Sequence, residues 1–191
     1  MVWGTGGAIL DTGGWWAEIV ARAARGKDGF VAEASPAPTP PPPVPEFVAA
    51  LDIAVGPPLV VGPGPAGERR VVPILGGTVA GPRLSGEVLP GGADYQLVRP
   101  DGVAEIEARY ALRLAGGALV YVVNRGLRRA ADPEALARLL RGEPVPSERV
   151  YFRTAPAFET ADPAHAWLRG TLFLGVGERL PDRVRLRLYA V

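Results

Sequence analysis

Eight side chains carry the groups that proton-transfer chemistry on a small molecule would need: Asp94, Gln96, Glu107, Arg109, Tyr121, Asn124, Arg153 and Trp167. A carboxyl taken out of water holds its proton more tightly, so Asp94 or Glu107 inside a protein could serve as general acid or base. Arg109 completes this catalytic set by stabilising negative charge as it develops. Gln96, Tyr121 and Asn124 would hydrogen-bond a substrate, Arg153 would hold its charge and Trp167 would stack on it. The competing reading makes the same residues outward-facing pairs of small energetic worth. Parity separates some of them: Asp94 and Gln96 share a strand face, whereas Tyr121 and Asn124 share one only if a bulge intervenes.

Composition removes most other chemistries. There is no Cys, which excludes disulfides, thiolate nucleophiles and cysteine-ligated metals. His165 is the single histidine, so a multi-histidine metal site is impossible and any Ser–His–acid triad would need that one residue. Lys27 is the single lysine among 21 basic residues, which disfavours a Schiff-base or phosphate-loop lysine. Residues 62–67 match G-x-G-x-x-G literally, but two prolines interrupt the motif and no helix follows to receive a pyrophosphate. They are read as a turn. Ser35, Ser85 and Ser147 sit in no nucleophile elbow. No cofactor and no metal are therefore expected. A net charge of +1 gives no field for nucleic acid or an anionic membrane, and the Arg183, Arg185, Arg187 row reads as a solvated sheet face.

The elements that must position these residues are short strands. Alternation or turn punctuation marks strands over residues 47–54, 69–74, 83–89, 93–99, 103–114, 118–125 and 183–189. The clearest places Ala104, Ile106, Ala108, Tyr110, Leu112 and Leu114 on one face, opposite Glu105, Glu107, Arg109 and Arg113. Gly76-Gly77, Gly91-Gly92, Asp101-Gly102 and Gly116-Gly117 punctuate the runs. One helix is expected over residues 132–141, with Asp132 as N-cap, Pro133 in the first turn and Gly142 as its stop. The fold class that follows is mainly β: a single antiparallel barrel of about eight to ten strands with one short helix. A barrel of that size can hold one small ligand, and a binding lumen would offer about 300 Å³ or more.

Residues 1–45 differ from the rest. A short amphipathic helix is expected at 15–25, followed by the polyproline stretch Ser35–Pro45, so this arm is read as a mostly disordered extension preceding a barrel domain at 46–191. The Gly and Pro excess, 25 and 21 residues, thus divides between a floppy arm and a turn-dense β domain. No secretory signal or membrane-length apolar run is seen, and a cytoplasmic setting fits the lack of Cys.

Several stretches, in order, resemble one family: Arg69–Thr78, Gly81–Gln96, Arg99–Val103, Ala108–Arg113, Tyr121–Gly126, Tyr151–Thr160 and Trp167–Gly177. They look like the bacterial and fungal family called DUF3237 or UPF0311. The resemblance covers about residues 46–191 and implies a single β-barrel domain without supplying an activity. It departs at Tyr95, Glu107, Val123 and Arg169, where the family pattern carries Trp, Asp, a polar or basic residue, and Asn. The functional expectation is a small-molecule-binding barrel doing metal-free acid–base chemistry of the isomerase, cyclase or lyase type, with its ligand in the lumen. The alternative is a non-catalytic structural or carrier barrel acting as a homodimer.

Overall fold

The computed structural model describes residues 40–191, so the helix expected at 15–25 and the spacer before Pro40 lie outside the described residues. Ten strands follow: β1 (Glu46–Val55), β2 (Leu59–Gly64), β3 (Gly67–Ala80), β4 (Gly86–Val88), β5 (Ala93–Val98), β6 (Ala104–Leu114), β7 (Leu119–Ala130), β8 (Val150–Glu159), β9 (Phe173–Arg179) and β10 (Arg183–Ala190). The helix α1 (Pro133–Leu140) lies between β7 and β8. Short 3-10 segments occupy Ser147–Arg149 and Pro163–Gly170.

Neighbouring strands are antiparallel in the order β1-β10-β9-β8-β7-β6-β4-β3, and β3 pairs back onto β1 to close a barrel. The last part of β3 pairs with β1 and β4, and its first part with β2 and β5. β1 and β2 therefore share one lane, broken at Gly56-Pro57-Pro58, where prolines cannot donate to a ladder. β4 and β5 share another, broken by Leu89–Gly92. Ten strands thus make an eight-lane barrel, as expected from the density of turns.

Alternation puts one face of each strand inside. On β6, Ala104, Ile106, Ala108, Tyr110, Leu112 and Leu114 are all buried. On β8, Phe152, Thr154, Pro156 and Phe158 do the same. One end of the lumen is filled: Leu51, Leu112, Val120, Val122, Leu168, Leu186 and Leu188 are 0–2 % exposed. Burying each such side chain stabilises the fold by roughly 1.5–3 kcal/mol. The Pro163–Gly170 segment closes this end with Leu168 and Trp167. The opposite end carries α1, whose cap forms as the sequence predicts. The Asp132 carboxylate accepts the Ala135 N–H at 2.9 Å, and Arg149 binds the same carboxylate at 2.7 Å.

One expectation is corrected. Gly76-Gly77 is not a turn, because β3 runs through it to Ala80. The glycines serve a close approach: a Cβ at Gly77 would sit 2.2 Å from the Asp52 carbonyl oxygen, on the pair that closes the barrel. β2, β8 and β9 go beyond the strands that alternation marks. Among the described residues no helix is long and apolar enough to cross a membrane.

Candidate functional site

The polar half of the lumen starts on β5. Asp94 lies between Val72 of β3 and Ala108 of β6, with its side chain inside. β5 and β6 pair at residues 93–94 and again at 97–98, and in the gap between, the Glu107 backbone N–H donates to Asp94 Oδ1 at 3.1 Å. Gln96, two residues on and so on the same face, donates from Nε2 to Asp94 Oδ2 at 2.6 Å and is buried. Beyond Ala108 on the same stretch of wall, β7 brings in Asn124, and β8 brings in Thr154, both buried. Neither Asn124 Oδ1 nor Thr154 Oγ1 has a hydrogen-bond partner. Buried polar oxygens are rarely left so, because an unmade bond costs about 1–3 kcal/mol.

Further toward the α1 end stand three arginines, Arg70 on β3, Arg128 on β7 and Arg179 on β9. Burial pushes the Asp94 carboxyl above its usual range, against the opposing pull of Gln96, the Glu107 N–H, Arg128 and Arg179. Burial also pushes the Arg128 guanidinium down to about 10, with repulsion from Arg179 and Arg70 adding to it and Asp94 opposing it. Arg179 is lowered for the same first reason. Tyr110, deep in the lumen, is raised by burial and by the nearby Asp94 charge. Arg70 is held by Glu68.

The space is smaller than expected. A lumen void of about 40 Å³ is lined by Asp94, Gln96, Tyr110, Asn124, Phe152 and Arg179 among others. A cleft of about 210 Å³ lies at the mouth between the arginines and Leu139 and Leu140 of α1. The two spaces share Val72, Gln96 and Arg179. Neither reaches the roughly 300 Å³ anticipated for a ligand lumen, because apolar side chains fill the other end.

Of the eight residues singled out in the sequence, the structure brings Asp94, Gln96 and Asn124 together in the lumen and places the other five outside that group. Glu107 and Arg109 face outward on β6 and bind each other at 2.6 Å, with Arg125 at 3.5 Å from Glu107. Arg109 and Arg125 hold the Glu107 carboxyl below its usual range, the opposite of what a buried acid would need. Tyr121 is exposed, since β7 pairs with β6 without a bulge and leaves it on the face opposite Asn124. Arg153 also faces out, with its guanidinium 5.3 Å from the Tyr151 ring. Trp167 sits at the filled end, stacked under Arg83 at 3.8 Å and tilted against Phe173. His165 pairs with Asp162 beside it. Parity could have supplied the residues that sequence reasoning missed. Arg128 shares a face with Val120, Val122 and Asn124; Arg70 with Val72 and Ile74; Arg179 with Phe173. Among the described residues no group of three or more His, Cys, Asp or Glu side chains could hold a metal ion.

Comparison with known proteins agrees with this architecture. The family model described as "Protein of unknown function (DUF3237)" matches residues 43–191. The chain belongs to the DUF3237 family. The UPF0311 protein of Clostridium acetobutylicum is 42% identical over 147 residues, spanning 76% of this chain and 92% of that protein. The crystal structure of a conserved protein of unknown function from Rhodopseudomonas palustris superposes with a TM-score of 0.76 at 42% identity, covering 79% of this chain and 99% of that one. A crystal structure of an enzyme from Penicillium herquei shares the fold, with a TM-score of 0.58 at 21% identity, covering 80% of this chain and 98% of that one. The four departures from the DUF3237 pattern all lie off the lumen. Tyr95, Glu107 and Val123 stand on outward strand faces, and Arg169 is exposed at the filled end.

Proposed function

We propose that this DUF3237 barrel binds a small organic molecule at the α1 end of its lumen and that Asp94 exchanges a proton with it. The observation that carries the reading is the unpartnered, buried Asn124 Oδ1 in the same void as Asp94 and Gln96. A protein core has no use for such an oxygen, whereas a ligand N–H or O–H would satisfy it. In this reading Asp94 is the general acid or base, its proton affinity raised by burial. Gln96 holds its Oδ2 and fixes its orientation. Arg128 and Arg179 stabilise negative charge that develops on the substrate, as an isomerisation, cyclisation or elimination requires. The narrowness of the lumen void supports one competing reading, a carrier that seats part of a ligand and does no chemistry.

Two measurements test this. Native mass spectrometry of freshly purified protein is expected to show a co-purifying small molecule. Proton–deuterium exchange into a panel of weak carbon acids, followed by NMR in D₂O, is expected to be accelerated by the wild type. The Asp94→Asn variant should lose about a hundredfold or more of that acceleration. Equal exchange by both proteins would remove Asp94 from the chemistry. Ligand capture with no exchange at all would leave the carrier reading standing in its place.

A further inference from the structure

Charge around the mouth of the lumen does not balance, and the imbalance bears on what the site takes. Of the basic side chains lining the cleft, Arg70 is engaged by Glu68 and Arg141 by Glu143. Among the described residues Arg128 has no carboxylate within salt-bridge distance. Arg179 spends its Nη1 donors on the Leu180 and Arg183 carbonyl oxygens. Glu143, the acid on the cleft wall, is already shared between Arg141 and Arg138. Inside, the one carboxyl is Asp94, already bonded by Gln96 and the Glu107 N–H. Two half-buried guanidiniums therefore stand without a carboxylate at salt-bridge distance, over an opening of about 210 Å³. An unpaired buried charge is costly, and evolution retains one chiefly where something else completes it. A guanidinium is planar and presents a fork of donors matched to a carboxylate.

We infer that the ligand of this barrel is a small organic carboxylate, its charged group set between Arg128 and Arg179 and its uncharged part directed toward Asp94, Gln96 and Asn124. The inference rests on the lumen being the ligand site, and it names the class of substrate. The apolar walls, Val72, Leu139 and Leu140 at the mouth and Phe152 within, suit a hydrocarbon or ring portion better than a second charge.

The test compares matched probes by calorimetry and thermal shift at constant ionic strength: benzoate against benzamide, acetate against acetamide, and inorganic phosphate. Wild type is expected to bind at least one carboxylate about tenfold or more tightly than its amide. Arg128→Gln and Arg179→Gln should each abolish that preference, and Arg187→Gln, on the outer face, should keep it. Arg128→Gln should also melt no lower than the wild type without ligand, since it removes a charge with no carboxylate partner. Arg179→Gln gives up two bonds to carbonyl oxygens and should melt lower, with an unchanged far-ultraviolet circular dichroism spectrum confirming that it folds. Amides binding as well as carboxylates, phosphate binding as well as either, or a preference that survives both substitutions would overturn the inference. A neutral co-purifying molecule in the native mass spectrum would overturn it too, while leaving the proposed site intact.

Discussion

At the scale of single residues, Asp94 shows how position within a barrel changes what a carboxylate is. Glu107 on the next strand is the chemically similar residue, yet Arg109 and Arg125 hold it ionised in solvent, while burial biases Asp94 toward its neutral form. This has a consequence for stability. In the unfolded chain Asp94 ionises in the ordinary carboxylate range, and in the folded protein it keeps its proton to higher pH. The folded state binds more protons in that window, so stability is greatest below the ordinary value and falls as pH rises through the raised one. Asp94→Asn removes the penalty. Its urea midpoint relative to wild type is expected to climb as pH rises above the ordinary carboxylate range and to level off once Asp94 is ionised in the folded protein as well. A constant difference across that rise in pH would mean that burial does not govern this carboxyl.

At the scale of elements, α1 and its cap decide how closely the mouth is covered. Asp132 accepts the Ala135 N–H and also binds Arg149 before β8, so one side chain ties both ends of the segment that crosses the opening. Leu139 and Leu140, near the end of this helix, form one wall of the cleft. Asp132→Ala is expected to leave the barrel folded while loosening this cover. Hydrogen exchange at the α1 amides should quicken about fivefold or more, with strand amides in β6 and β7 unchanged. Equal acceleration throughout would show that α1 is part of one cooperative unit with the barrel and is no separate cover. The Asp132–Pro133–Glu134 start and the Gly142 stop are legible in sequence because capping is local. The contact of α1 with the mouth is not, because no local pattern says which end of a barrel a helix will lie across.

At the scale of the whole molecule, net charge and its distribution matter more than any run of arginines. Arg183 and Arg185 on β10 lie against Asp52 at 3.2 and 3.3 Å, and Arg185 reaches Glu178 at 3.6 Å. The row that resembles a basic stripe in sequence is thus mostly neutralised by strands β1 and β9. The protein is expected to elute from heparin or duplex DNA columns below about 0.15 M salt. Strong, steeply salt-dependent retention would show a basic surface that these pairs do not silence. The same closure explains the glycines: where β3 returns to β1, and where Thr154 lies against Gly175 with its Oγ1 only 2.1 Å from where a Cβ would stand, the wall admits no side chain.

Periodicity and turn chemistry in the sequence determined the β class, the single helix and the inward face of β6, since each of these depends on neighbours a few residues apart. They also paired Asp94 with Gln96, because residues two apart on a strand share a face. Tertiary structure alone decided that Asn124 joins that pair while Tyr121, Glu107, Arg109 and Arg153 look outward. It also set Trp167 at the far end and gathered Arg70, Arg128 and Arg179 from three distant strands around one opening. Such convergence depends on barrel closure and on the register between strands far apart in the chain, and a single strand's sequence carries no record of either.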